Sequence, residues 1–237
     1  MKMIVGLMSV TAILLVALAG PLYKFGVVEL GTAFTGFKFG LFAGIAALVL
    51  LAIQLLFKRN TASIGSALAS AVLALAAIAV PLGMMNTAKN VPPIHDISTD
   101  LVNPPEFVAI APLRADAPNP LAYAGAEVAE QQRTAYPDLQ TLTYAQSKSE
   151  LIKAAQQAME NLGWELVNTD VDEGIVEATE TTAWFGFKDD VIIRVTDNDS
   201  ERLFDVRSKS RIGQSDLGKN AARIHTLVDE LDNVLNK

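Results

Sequence analysis

Long apolar runs occupy the first third of the chain. Residues 4–22, 39–57 and 64–84 contain no charged side chain and are 19, 19 and 21 residues long. At ~1.5 Å per helical residue, each run is long enough for the ~30 Å hydrocarbon core of a bilayer. We therefore predict a three-helix transmembrane anchor over residues 1–89.

The charges beside these runs indicate the orientation of the anchor. The basic turn Lys58-Arg59-Asn60, between the second and third runs, is typical of the cytoplasmic side. Ala17-Leu18-Ala19 matches a signal-peptide cleavage pattern, but Pro21 and the later runs favour an uncleaved first helix. With either fate of the first run, the C-terminal domain lies outside the cytoplasm. We expect a bacterial inner-membrane protein with a periplasmic C-terminal domain.

Small and aromatic residues suggest how the anchor is built. Gly40 and Gly44, like Ser66 and Ser70, recur at a spacing that lets helix backbones approach closely, although such residues are also common in spans. Four aromatic residues after the first run are typical of a membrane interface: Tyr23, Phe25, Phe34 and Phe37. Three glycines in the same connection predict that it forms no stable helix: Gly26, Gly31 and Gly36.

Residues 90–146 have the pattern of an extended linker. Pro92-Pro93 and Pro104-Pro105 are incompatible with a regular helix. Residues 107–113 form a plausible strand at the edge of a sheet. A linker of this length without its own structure is uncommon inside a compact domain, so we expect it to wrap over the domain surface.

Alternating and helical patterns fill residues 147–237. Ser147 and Glu150 have the spacing of a capping box, at the start of a helix that Gly163 ends. Ser215 is the predicted cap of a final amphipathic helix that runs to about residue 236. Between the helices, period-two alternation predicts strands at residues 164–168, 174–184, 190–196 and 202–209. This order predicts an α+β domain, in which helices pack on one face of a four-stranded antiparallel sheet.

Charge divides the chain at the end of the predicted anchor. The net charge is −7, but residues 1–89 carry six basic and one acidic residue, and the remainder carries 13 basic and 25 acidic residues. An acidic domain is a poor partner for nucleic acid, so we predict no such partner. The chain has no cysteine, which excludes disulfides and cysteine-based metal or redox chemistry.

One stretch near the end of the chain concentrates opposite charges and hydroxyl groups. Because side chains alternate across a strand, Arg194, Asp205 and Arg207 can share the non-core face of the sheet. Asp190 can then pair diagonally with Arg207. These cations and the start of the last helix could hold an anionic ligand. The candidate ligand-binding residues are Asp189, Asp190, Arg194, Asp205, Arg207, Ser208, Arg211, Ser215, Asp216, Asn220 and Arg223. The alternative is a structural ion network in which the aspartates satisfy the arginines.

The sequence contains no recognisable metal site or catalytic motif. His95 and Asp96 are adjacent, but a metal site needs three or four ligands and His225 is the one other histidine. Hydrogen bonds within a turn are the simpler role for this pair. A nucleophile elbow, a glycine-rich phosphate loop and an HExxH motif are all missing. We therefore assign no catalytic residue, no metal and no cofactor.

Several segments resemble the domain-of-unknown-function 1499 family. The resemblance covers about residues 92–236 and leaves the three apolar runs outside it. It implies a bacterial or plastid-type protein and supplies no established activity. It also suggests that His95 and Asp96 belong to the same site as Arg207 and Arg211. The matching segments are residues 182–190 (TAWFGFKDD), 205–211 (DVRSKSR) and 215–224 (SDLGKNAARI), with shorter matches at 93–97, 103–105, 136–138 and 163–164.

Three functions are compatible with these patterns. The first is a membrane-anchored, non-enzymatic binding or accessory module for an anionic ligand or a partner subunit. The second is an assembly or scaffold subunit of a larger membrane complex, bound mainly through the second and third spans. The third is an envelope hydrolase that uses Asp189, Asp190 or His95. The expected partners are the lipid bilayer and either a membrane protein or an anionic small molecule.

Overall fold

The chain forms two compact units. The computed structural model describes residues 1–57 and 63–236. One unit comprises Met1–Lys89 together with the short loop Ala183–Gly186, and the other comprises Asn90–Thr182 and Phe187–Lys237. The predicted basic turn Lys58-Arg59-Asn60 lies outside the described residues.

Long helices build the first unit. Each is long and apolar enough to cross a membrane, so the chain has the membrane anchor that its apolar runs predict. Gly31 and Gly36 lie inside the second helix, and the prediction that they prevent a helix is wrong. An interior glycine costs a helix about 1 kcal/mol, whereas an unpaired peptide group in hydrocarbon costs several kcal/mol, so the helix continues through them. The three helices are α1 (Lys2–Lys24), α2 (Leu30–Phe57) and α3 (Ile64–Asn90).

Glycines lie where α2 meets its neighbours in this unit. A Cβ atom at Gly40 would lie 2.6 Å from Cγ2 of Val16 in α1. A Cβ atom at Gly44 would lie 3.0 Å from the carbonyl oxygen of Ala74 in α3. The absence of a side chain therefore allows both close approaches.

An antiparallel sheet of six strands forms the second unit. The strand order is β1-β6-β5-β4-β3, and β2 also pairs with β6. The predicted four-stranded meander is present as β3 to β6, but the prediction of four strands is wrong because β1 and β2 pair with the outer edge of β6. Each is three residues long, too short to show alternation in the sequence. The bounds are β1 (Asp96–Ser98), β2 (Leu142–Tyr144), β3 (Glu165–Asp170), β4 (Ile175–Thr181), β5 (Lys188–Asn198) and β6 (Glu201–Ser210).

Helices share one buried core with the sheet. The predicted capping box is present at the start of the helix that begins at Lys148. Ser147 Oγ accepts from the amide of Glu150, and the amide of Ser147 donates to the Glu150 carboxylate. The helices of this unit are α4 (Ala126–Ala135), α5 (Lys148–Asn161) and α6 (Lys219–Leu235). The core side of β5 and β6 consists of Val191, Ile193, Val195, Phe204 and Val206.

The start of α6 differs from the prediction. Its N-cap is Gly218, which has a φ of +79°, and not Ser215. The carboxylate of Asp216 accepts from the amides of Gly218 and Asn220, whereas Ser215 Oγ accepts from Leu217. Asp216 satisfies these amides because its two oxygens can accept from both at once.

Residues 101–124, which we call the cover, lie against the opposite face of the sheet. Phe107 and Ile110 pack on Ile192, whose side chain points away from the main core. The predicted edge strand at residues 107–113 is wrong, since this part of the cover is irregular and ends in a 3-10 helix, Ala111–Arg114. The cover therefore forms a layer over the sheet and not an extension of it.

Candidate functional site

Charged side chains occupy the face of the sheet beneath the cover. Arg194 opposes Asp205 and Asp190 opposes Lys209, with Arg207 between them on β6. All five point away from the main core because their neighbours along each strand point into it. Asp190, Arg207 and Lys209 are at most 2% exposed. Buried charges at these positions require partners within the protein.

Arg207 is bound by acceptors from β1 and the cover. Its Nε and Nη2 atoms each donate to a different oxygen of Asp96 at 2.9 Å. Nη1 donates to the carbonyl of Pro105 at 3.0 Å, and Nη2 also donates to the carbonyl of Leu121 at 3.1 Å. The N–H groups of the Arg207 guanidinium, which could otherwise bind a carboxylate or phosphate ligand, are thus occupied by acceptors within the protein.

Asp96 also neutralises Lys209. The Nζ atom of Lys209 donates to Asp96 at 2.6 Å and to the carbonyl of Ala122 at 2.9 Å. Burial lowers the pKa of Lys209, and the nearby Asp96 only partly offsets this effect. The ring of Tyr123 lies 5.4 Å from Cζ of Arg207, and burial followed by the charge of Asp96 raises the pKa of Tyr123 to about 12.

Asp190 pairs with two arginines, neither of which is Arg207. Arg114 Nη1 donates to it at 2.6 Å, and Nε and Nη2 of Arg211 donate at 2.8 Å. The hydroxyl of Thr179 donates at 2.7 Å. The predicted diagonal pair of Asp190 with Arg207 is wrong because Arg114 of the cover and Asp96 of β1 supply the nearer opposite charges.

Arg194 and Asp205 contact each other, as their strand positions predict. Nη2 of Arg194 lies 2.9 Å from Asp205 and 2.9 Å from Asp100, and Nη1 donates to the carbonyl of Asn103. Two hydroxyls donate to the remaining oxygen of Asp205: Thr99 and Thr141. Arg194 thus connects the sheet to the beginning of the cover.

A second cluster lies on the helix side of the sheet and contains Asp189, Ser208, Asn220 and Arg223. Arg223 of α6 donates to Asp189 at 2.6 Å and to Glu180. It also donates to the side chains of Ser208 and Asn220, and Ser208 donates to Asn220 at 2.7 Å. Adjacent residues of a strand point to opposite faces. The structure therefore divides most of the candidates between two clusters on opposite faces of the sheet, whereas Ser215 accepts from the amide of Leu217.

His95 and Asp96 follow the same alternation. Asp96 contacts Arg207, whereas Nδ1 of His95 lies 3.3 Å from the carbonyl oxygen of Gln214. Asp96 therefore shares a site with Arg207, as the resemblance suggested, whereas the side chain of His95 does not. Asp216 lies at the start of α6, and burial raises its pKa although the amides of Asn220 and Gly218 act in the opposite direction.

Sequence reasoning missed Glu177, a fully buried carboxylate in β4. It accepts from the consecutive amides of Val108, Ala109 and Ile110 at 2.8, 2.7 and 3.2 Å. Consecutive amides that converge on one anion form a nest, and here the anion belongs to the chain itself. The available signal was a charged residue between the apolar positions Val176 and Ala178 of a strand.

Arg114 was missed for a different reason, and the buried partner of Lys209 was not predicted. Arg114 lies 76 residues from Asp190, and Lys209 lies 113 residues from Asp96. Local sequence does not reveal either pair, because the two partners lie in distant segments of the chain.

An open cavity of about 360 Å³ lies beside the network. Val102 of the cover lines it, together with Asp100, Arg133, Tyr136 and Gln140. Arg133 is exposed and pairs with the exposed Glu130. The cavity thus combines an apolar side chain with accessible polar groups.

The charged side chains of the two clusters are paired with one another, and these residues form no assembled reactive group. Among residues 1–57 and 63–236, no group of three or more His, Asp or Glu side chains could hold a metal. Ser208 and Ser210 hydrogen-bond with Asn220, and Asp189 and Asp190 are paired with arginines. A nucleophile next to a base is therefore not formed by these residues.

The fold and site define a membrane-anchored α+β protein in which an apolar cover buries the charged face of the sheet. The model of the family described as "Protein of unknown function (DUF1499)" matches residues 96–231. This match spans more than half of the chain, and the chain belongs to that family. It extends from β1 into α6, so the three helices of the anchor lie outside it. No curated protein matches the chain.

Proposed function

We propose that this chain is a membrane-anchored, non-enzymatic module that binds a partner protein through the outer surface of the cover. The observation that carries the proposal is an apolar outer surface on a backbone that buried charges hold in place. Among the described residues of the second unit, the exposed large apolar side chains are Val102, Val108, Leu113, Leu121 and Val171. All of them except Val171 belong to the cover.

Buried or half-buried charges bind the backbone of the cover at or next to each apolar position. The carbonyls of Asn103, Leu113 and Leu121 accept from Arg194, Arg211 and Arg207, and the amide of Val108 donates to Glu177. An irregular segment would otherwise lose conformational entropy when it bound a partner. A cover that is already ordered avoids that cost, which favours binding.

The charge of the second unit favours a protein partner over a lipid surface. The exposed charged residues of the cover are Glu106 and Asp116, and residues 90–237 carry 13 basic and 25 acidic residues. Anionic headgroups would be repelled by such a surface. A protein with an apolar centre and a basic rim is complementary to it.

The cavity beside Val102 supplies an anchor point for the partner. Interfaces depend most on a few side chains that fill desolvated pockets, often Arg, Tyr or Trp. Asp100 and Tyr136 line this cavity, so a basic or aromatic side chain of the partner would find both a charge and a ring. We include a bacterial inner-membrane location and a periplasmic second unit in the proposal, on the basis of the basic turn between the second and third spans.

The internal partners of the arginines argue against an anionic ligand as the main function. Arg207 and Arg223 are 2% and 6% exposed and already bind carboxylates. A ligand would have to displace these carboxylates, and each would then remain buried without its partner. A scaffold role through the spans remains the alternative, since the partner could also contact the anchor.

The experiment is affinity purification of the full chain from its own membranes after crosslinking, followed by titration of the identified partner. Leu113→Asp should weaken the measured affinity by about tenfold or more, because an apolar side chain of this size contributes about 1.5–3 kcal/mol when buried. Val171→Asp is the matched control, since Val171 is exposed but lies outside the cover. Undiminished affinity in Leu113→Asp, or an equal loss in Val171→Asp, would contradict the proposal.

A further inference from the structure

The loop Ala183–Gly186 belongs to the helical unit and makes specific contacts within it. Nε1 of Trp184 donates to the carbonyl oxygen of Ala17 in α1 at 3.1 Å. Phe185 is 4% exposed and stacks on Phe34 of α2, with ring centroids 5.7 Å apart. The loop thus contributes two aromatic side chains, Trp184 and Phe185, that contact the anchor helices of this unit.

The carbonyl that accepts from Trp184 is one that the helix cannot satisfy in the usual way. In an α-helix, the oxygen of residue 17 accepts from the amide of residue 21. Residue 21 is Pro21, which has no N–H. An unsatisfied carbonyl in an apolar environment costs free energy, and in membrane helices a group from a neighbouring segment commonly satisfies it.

Gly20 provides the space for the indole. A Cβ atom at position 20 would lie 2.5 Å from Cδ1 and 2.8 Å from Nε1 of Trp184. Even alanine at this position would therefore displace the ring. The ring of Phe37 in α2 lies 5.7 Å from that of Trp184 and closes the other side.

We propose that Ala17, Gly20 and Pro21 form an indole-binding notch in α1, and that Trp184 is its ligand. Ala17 supplies the acceptor, Pro21 leaves that acceptor free and Gly20 makes room for the ring. The Ala17-Leu18-Ala19 stretch, which resembles a cleavage motif, thus supplies the acceptor of this notch. The notch makes α1 a specific receptor for the loop Ala183–Gly186 within the helical unit. This inference is independent of the binding surface on the cover.

The test uses the full chain in lipid nanodiscs with Trp164→Phe, which leaves Trp184 as the one tryptophan of the chain. Gly20→Leu fills the notch and should shift the emission of Trp184 to longer wavelength and increase its quenching by acrylamide. Gly6→Leu is the matched control in the same helix, because nothing lies within 4 Å of a Cβ atom at Gly6. It should leave both signals unchanged.

Two further variants add no bulk, and they test the proposal if Gly20→Leu is not stably expressed. Trp184→Phe keeps a ring but removes the donor, and Pro21→Ala supplies the helix amide that competes for Ala17. Each should accelerate amide exchange of residues 182–188 by about tenfold, the factor that corresponds to one net hydrogen bond.

Three results would overturn the proposal. The first is unchanged emission and quenching in Gly20→Leu, or unchanged amide exchange in Trp184→Phe and Pro21→Ala. The second is an equal change in Gly6→Leu. The third is an intact mass for the membrane-bound protein that lacks residues 1–19, since Ala17 would then be missing.

Discussion

Asp96 and Arg207 lie 111 residues apart in the sequence and form a two-point ion pair, with both N–O distances at 2.9 Å. The pair joins β1 to β6, and neither side chain is more than 2% exposed. Because Arg207 also binds two carbonyls of the cover, one ion pair connects the sheet, its added edge strand and the covering layer.

Loss of the charge on Asp96 should destabilise the second unit severely. Asp96→Asn would leave Arg207 and Lys209 buried without their carboxylate, and breaking a buried pair in this way costs about 3–5 kcal/mol. The measurement is urea unfolding of the detergent-extracted chain, monitored by near-ultraviolet circular dichroism. Glu165→Gln removes the exposed partner of Lys188 and should cost about 1 kcal/mol or less. Similar midpoints for the two variants would show that the Asp96 pair is not important for stability.

Glu177 should control the order of the cover locally. Glu177→Gln keeps one acceptor oxygen but removes the charge that binds the amides of Val108, Ala109 and Ile110. Charge-assisted hydrogen bonds contribute about 1.5–3 kcal/mol each, so amide exchange in residues 107–111 should accelerate by at least about tenfold. Exchange in α5 serves as the internal reference. Equal acceleration in both segments would indicate global destabilisation instead.

The pair of Asp100 with Arg194 should make stability depend on acid pH. Burial by itself would raise the pKa of Asp100, but the amides of Asn103 and Val102 and the charge of Arg194 together hold it below its ordinary value of 3.8. A carboxylate with a depressed pKa stabilises the fold above the unfolded value of 3.8, and this contribution disappears as the pH falls through the folded value.

Asp100→Asn should therefore be less stable than the parent at about pH 6, and the difference should shrink towards about pH 3. Asparagine retains the oxygen that accepts from Val102 and Asn103, so mainly the charge is removed. Thermal unfolding of both proteins across this range measures the effect. A stability difference that does not vary with pH would contradict the assignment.

Gly44 should be essential for packing of the anchor. Gly44→Leu would place a side chain where a Cβ atom already approaches Ala74 O to 3.0 Å and Ile78 Cγ1 to 3.0 Å. Overpacking of this kind costs about 1–3 kcal/mol. Gly83→Leu in α3 is the control, because a Cβ atom there meets nothing within 4 Å. Unfolding of the helical unit in increasing SDS should occur earlier in Gly44→Leu than in Gly83→Leu.

Particular elements show how far the sequence could predict this structure. The apolar runs predict α1 to α3, and the alternation of Val191, Ile193 and Val195 predicts which face of β5 enters the core. The capping box of Ser147 is predicted to the residue. The extra strands β1 and β2 were not predicted, because three residues are too few to show alternation and their pairing depends on the exposed edge of β6.

The candidate site was likewise predicted only in part from the sequence. The sequence identified most of its charged residues and placed Arg194 beside Asp205, because hairpin register relates the two positions directly. It did not identify Glu177 or Arg114, it did not pair Lys209 with Asp96, and it paired Asp190 with the wrong arginine. These residues depend on the cover, whose irregular backbone has no periodicity from which its position could be derived.

The sequence by itself determined the membrane helices, the central meander and the capping of α5. These features depend on burial periodicity and on contacts between residues only a few positions apart. Tertiary structure alone decided which carboxylate each arginine binds and whether the charged face is open or covered. Several carboxylates could satisfy each arginine equally well in chemical terms. Only the folding of β1 and the cover onto the sheet, over separations of 76 to 113 residues, selects among them and buries the pairs.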